Sequence, residues 1–142
     1  MNSLRILSFS ETAAGFIDHS LDKSRWTHEA HITTAIWFLL NYEKQEALCR
    51  LRSGILSYNL ATGGENTGSN GYHETITVFW WTLLELFVQA NPGKDYDLLC
   101  RDFLNSRYAH CEAPFEFYSR EKLLSTRARA YYLAPDIKEI HL

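Results

Sequence analysis

The chain predicts an all-α fold, a single-domain helical bundle of about five helices with up-down connections. Three observations point there. Apolar residues recur at i, i+3, i+4 and i+7 over three long segments. Each segment is bounded by residues that cap or break a helix. No stretch alternates apolar and polar residues with the period of two that a half-buried strand requires. A chain of 142 residues forms one domain, 1–142, with enough core to fold without a structural metal or a disulfide.

A short helix over about 11–20 precedes the first long one. That one, 24–42, sets His28, His31, Ile32, Ala35, Leu39 and Tyr42 on one face, with the Ser24 hydroxyl as its N-cap. The next, about 44–61, carries Leu48, Leu51, Ile55 and Tyr58, and Gly63-Gly64 ends it because glycine enters the left-handed conformation without steric cost. Residues 63–71 read GGENTGSNG, turn chemistry throughout, and suggest a flexible lid. A third long helix, about 72–90, runs through Ile76, Trp80, Leu83, Leu84 and Phe87 and stops at Asn91-Pro92-Gly93. A shorter helix follows from Asp95 to about Ser106, then an irregular aromatic connector over 107–117, then a last helix over about 119–133 between an N-cap at Ser119 and Pro135.

Composition narrows the function. The formal charge of −3 is spread evenly and forms no basic stripe, which argues against a nucleic-acid partner. Aromatic residues make up 14% of the chain, enough to suggest a bulky core or an aromatic-lined cavity for a small molecule. Cys49, Cys100 and Cys111 form no CxxC pair and are odd in number, the pattern of reduced, mostly buried thiols in a cytoplasmic protein. Residues 1–16 lack the basic and apolar regions of a signal peptide. The longest apolar run, 76–90, is interrupted by Glu85 and is shorter than the roughly 20 residues that span a bilayer, so no membrane partner is expected.

The chemistry-bearing signal is the placement of histidines. Short connections pack successive helices antiparallel, so the helices beginning near 24 and 72 run parallel and bring His28, His31 and His73 to one end, with Glu74 beside them. Three neutral imidazoles and a carboxylate suit zinc or another divalent transition metal, with Glu74 as general base for a metal-bound water. The expected function is a metal-assisted hydrolase or lyase acting on a small molecule. Trp26, Asn59, Tyr72 and Arg127 are candidate substrate-binding residues around it; Arg127 or Arg129 lies on the buried stripe and needs an anionic partner, Glu74 among them. The spacing is HEAH and not HExxH, so no zincin role passes to Glu29, and neither His31 nor His73 has the Glu three residues earlier that a di-iron bundle uses. His19, His110 and His141 fall outside the helical faces, and dinucleotide, P-loop and serine-hydrolase motifs are absent.

Two alternatives stand beside the metal site. A metal-free enzyme would use His28 or His73 as acid and base, with Glu74 tuning it. A non-catalytic ligand-binding or protein-interaction module would keep the histidines as core residues, with Trp81, off the core stripe, buried between helices or in a homodimer contact. In architecture the all-helical plan with histidines at one end resembles small metal-binding bundles such as the DinB-like family. The HEAH and YHET segments do not follow that family's three-histidine pattern, so no residue role is carried over.

Overall fold

Helices in this chain begin where a polar side chain closes the first turn, because the first backbone N–H groups of a helix have no partner within it. The computed structural model describes residues 5–142. Ser8 caps α1 (Phe9–Ile17) in a reciprocal arrangement with Glu11. Thr27 caps α2 (His28–Asn41), Glu43 caps α3 (Lys44–Ala61) and His73 caps α4 (Glu74–Ala90). Asp95 caps α5 (Tyr96–Leu104), Ser119 caps α6 (Arg120–Leu123) and Ser125 caps α7 (Thr126–Ala130). Among the described residues every regular element is helical, as the apolar periodicity predicts.

The boundaries differ from expectation where two candidate caps compete. Asp22 accepts from both the backbone N–H and the hydroxyl of Ser24, at 2.9 and 2.6 Å, and draws 23–25 into a separate 3-10 turn. Thr27 then caps α2, four residues' start later than expected, at His28. The expected last helix is two: the Ser125 hydroxyl donates back to the Lys122 carbonyl at 2.7 Å and accepts from the Ala128 N–H at 3.1 Å, closing one helix and capping the next. The connector after α5 holds 3-10 turns at Arg107–Ala109 and Ala113–Glu116.

Two contacts set the direction of the central helices. Trp81 Nε1 donates to the Lys44 carbonyl at 2.9 Å, and Arg52 pairs with Glu74 at 3.0 Å. The start of α3 therefore meets the middle of α4, and its middle meets the start of α4, so the two run antiparallel. Only Tyr42 and Glu43 join α2 to α3, which folds α2 back on α3 and leaves α2 parallel to α4. Trp81, partly buried, is thus engaged within its own chain.

The aromatic surplus goes largely into the core. Phe16, Tyr58, Phe79, Phe103, Phe117 and Tyr118 are almost completely buried, packed with Ile32, Ile36, Leu83, Leu84, Leu99 and Leu123. Each such side chain contributes about 2 kcal/mol by leaving water. Buried phenols keep a partner, as they must to avoid a desolvation penalty: Tyr58 donates to the Leu21 carbonyl at 2.9 Å and Tyr118 to the Leu133 carbonyl at 2.6 Å. Of the cysteines only Cys100 is buried; Cys49 and Cys111 are exposed, contrary to the expectation of mostly buried thiols. Among the described residues no helix is long and apolar enough to cross a membrane.

Candidate functional site

His73 lies where the sequence places it, at the start of α4 and facing inward, but both of its nitrogens are engaged. As N-cap it accepts at Nδ1 from the Ile76 N–H at 3.1 Å, and Nε2 donates to the Leu123 carbonyl at 2.9 Å. Burial, and then the charge of Arg129, hold its pKa below the ordinary histidine value, so the ring is neutral. An imidazole nitrogen has one lone pair or one proton to offer, and here neither remains for a metal. The expected zinc ligand is a structural cap.

Glu74 is committed as well. Its Oε1 accepts from Arg52 Nε at 3.0 Å and from the Tyr72 hydroxyl, and burial, with the carboxylate contact second, pushes the Tyr72 phenol up. Asn59 Nδ2 donates to Asn66 Oδ1 at 2.9 Å; that oxygen also takes the Tyr72 N–H, while Asn66 Nδ2 donates to the Leu56 carbonyl. Arg127 is exposed, and Arg129 is the partly buried one, its Nη1 donating to the carbonyls of Gly71 and Tyr72 at 2.9 and 3.2 Å. Asn59, Tyr72, Glu74 and Arg129 therefore clasp the 63–72 loop to α3, α4 and α7. Gly71 has φ +83°, and a Cβ there would sit 2.0 Å from the Glu65 carbonyl oxygen, so a fixed tight turn stands where a lid was expected. Asn59 and Tyr72, expected to bind substrate, and Glu74, expected as general base, make structural contacts here, and Arg127, also expected to bind substrate, points outward. Among the described residues no group of three or more His, Cys, Asp or Glu side chains is arranged to hold a metal ion, so the three-histidine centre does not assemble.

The structure does bring His28 and His31 together in a cavity of about 350 Å³ between the three central helices. Ile32 and Ala35 of α2, Leu51 and Ile55 of α3, and Ile76, Thr77 and Trp80 of α4 line it with the two histidines, and Cys111 of the connector reaches it. The first halves of α2 and α4 both contribute, as their common direction requires. His28 Nε2 donates to the Ala109 carbonyl at 2.7 Å, and its ring lies against Trp80 with 5.2 Å between centroids. His31 Nδ1 donates to the Thr27 carbonyl at 2.7 Å, one turn back along the same helix. Its ring packs at 3.9 Å on Trp26, which is stacked at 4.3 Å on Phe16. Trp26 is thus a support behind the ring, and its own Nε1 is buried with no hydrogen-bond partner among the described residues.

These bonds set the tautomers. A carbonyl only accepts, so the nitrogen facing it carries the proton, and the other nitrogen of a neutral ring holds a lone pair. His28 Nδ1 and His31 Nε2 are those nitrogens, and neither has a protein hydrogen-bond partner among the described residues. The residue's edge reaches solvent, but desolvation of the imidazole, helped by the nearby His28, holds the His31 pKa down to about 4, so this ring stays neutral near pH 7. A larger hollow of about 780 Å³ beside α1 is polar-walled, and its carboxylates serve local turns: Glu11 on Ser8 and Arg5, Asp18 on Ser20, Asp22 on Ser24.

Sequence reasoning missed Cys111, Trp80 as a wall, Arg52 and the carbonyl of Ala109. Trp80 and Arg52 had a signal, one on the core stripe and the other a charge inside a helix beside Leu51. Ala109 had none, since its contribution is a backbone atom. His19, His110 and His141 are exposed, as expected. Comparison with known protein families, curated proteins and solved structures gives no match, so the architectural resemblance to DinB-like bundles gains no support.

Proposed function

We propose that this protein holds a small, mainly apolar molecule in the cavity between α2, α3 and α4 and moves a proton on it through His28. One observation carries the reading: two imidazoles in a single apolar cavity, each with one nitrogen tied to a backbone carbonyl and the other free. A site of this kind, apolar walls with a few oriented polar groups, is how proteins hold small ligands. His28 is the proton acceptor. When Nδ1 takes a proton the ring becomes a cation whose Nε2–H still faces the Ala109 carbonyl, and that bond strengthens with the charge. His31, held neutral by burial, is the positioning acceptor. The reaction class that suits this pair is proton abstraction from a bound hydroxyl, amine or activated C–H, without the three ligands and the base that a zinc-bound water would need.

The test is titration with N-phenyl-1-naphthylamine, a neutral probe that fluoresces on leaving water. The wild type binds it, and Ile55→Trp, which fills the cavity from α3, weakens binding tenfold or more with the helical circular dichroism unchanged. Equal binding by wild type and variant would move the site elsewhere. In ¹⁵N-histidine spectra His28 shows a bare Nδ1 and His31 a bare Nε2, and occupancy shifts both signals; signals that ignore the probe would remove the histidines from the site.

A further inference from the structure

We infer that the ligand class of this cavity is an uncharged aromatic hydrogen-bond donor, a one- or two-ring molecule carrying two adjacent O–H or N–H groups, and not an anion. The inference rests on the cavity reading above and narrows it. Two polar groups of the lining residues have their hydrogen bonding set from behind. His28 Nδ1 and His31 Nε2 hold lone pairs because the Ala109 and Thr27 carbonyls hold the protons on the opposite nitrogens. The Thr77 hydroxyl is committed, donating to the His73 carbonyl at 2.8 Å beside the Tyr72 phenol. Both open nitrogens are acceptors. A matching ligand must therefore present hydrogens.

The remaining walls exclude the alternatives. Among the described residues no Lys or Arg lines the cavity, so a carboxylate or phosphate would give up its hydration and face lone pairs with no lining cation to offset the loss. A pure hydrocarbon would fit the apolar surface of Ile32, Leu51, Ile55 and Ile76 but would leave two imidazole nitrogens dry and unpaired. A diphenol avoids both defects, with its hydroxyls on the histidines and its ring against Trp80 and the aliphatic wall. The volume, near the lower end for small-molecule sites, suits one or two rings. The spacing of His28 and His31, i and i+3 on one helix face, suits donors on neighbouring atoms.

Four probes of one shape separate the possibilities: 2,3-dihydroxynaphthalene, 2,3-dimethoxynaphthalene, 2-naphthoate and naphthalene. Binding is read by calorimetry and by protection of Cys111 from a thiol reagent in a Cys49→Ser background, where Cys111 is the exposed thiol and Cys100 is buried. The dihydroxy compound is expected to bind at least tenfold tighter than the dimethoxy compound, with naphthoate weakest. His31→Phe, which keeps a ring on Trp26 but removes the acceptor, is expected to erase most of that preference. Should the dimethoxy compound or naphthoate bind as tightly as the diphenol, the donor inference is wrong while the cavity reading stands. Should none of the four bind or shield Cys111, the cavity reading itself fails and takes the inference with it. The wild-type ranking decides even if His31→Phe does not fold.

Discussion

His28 and His73 both stand at the start of a long central helix, both face inward, and they differ by one position of helix register. His73 is the N-cap of α4, and the orphan N–H of Ile76 takes the lone pair of its Nδ1. His28 is the first helical residue of α2, and Thr27 before it does the capping, so the helix asks nothing of the imidazole. Each ring also meets a distant carbonyl, Ala109 for His28 and Leu123 for His73. The outcome is one histidine with an open nitrogen in a cavity and one with none. A histidine at a helix start is free for chemistry only when another side chain caps.

The largest expected effect comes from removing the capping histidine. His73→Ala loses the cap, the bond to Leu123 and buried volume, and is expected to cost about 3 kcal/mol, lowering Tm by roughly 10 °C. Probe affinity of the folded fraction should not change. Loss of binding with unchanged Tm would invert the comparison. His73→Asn, which can still cap, should recover about 1 kcal/mol.

Next is Gly71→Ala, which puts a Cβ against the Glu65 carbonyl at positive φ and is expected to destabilise by about 2 kcal/mol, read by urea unfolding. A neutral effect would show that the loop gives way easily and that a lid is back in play.

The pH dependence has a definite sign. His31 and His73 both have folded pKa values below the unfolded value of 6.5, so the unfolded chain binds protons the folded chain refuses, and stability falls as pH falls through that window, for His31 from about 6.5 to about 4. Discounted for partial exposure, the loss at His31 is on the order of 2 kcal/mol. Thermal melts at pH 7 and pH 4.5 should show it, with a shallower slope in His31→Phe. A slope unchanged by that substitution would mean that the cavity histidine charges without penalty.

Glu74→Gln should cost about 1 kcal/mol through its contact with Arg52, and leave binding and ¹⁵N-histidine spectra untouched. Any coupling of Glu74 to His28 would appear there as a shifted Nδ1 signal. Smallest of all, dialysis against a chelator should change neither Tm nor probe affinity, whereas a drop in both would restore a metal to the His28–His31 pair.

Much of the fold was legible because helix formation is local. Apolar periodicity and capping residues placed α2, α3 and α4 to within a few residues, and short links made α2 and α4 parallel. The boundaries moved where local chemistry was ambiguous: Ser24 and Ser125 each had cap chemistry, and Asp22 captured one while Ala128 used the other. The inward faces of His28 and His31 were legible too. The roles given to Glu74, Asn59, Tyr72 and Arg127 were not, since each depended on which partner the packed chain would supply.

By itself, the sequence determined the three long helices, the common direction of α2 and α4 and the side of each of their histidines that faces the core, because these follow from spacing along the chain and from side chains that announce themselves. Tertiary structure decided what the Nε2 atoms of His28 and His73 meet, whereas the Nδ1 partners of His31 and His73, the Thr27 carbonyl and the Ile76 N–H, lie within one turn. The atoms that settle this are the backbone carbonyls of Ala109 and Leu123, 81 and 50 residues from the rings they meet. Every residue carries the same carbonyl, so only the packing of the connector and of α6 selects the one that reaches a ring.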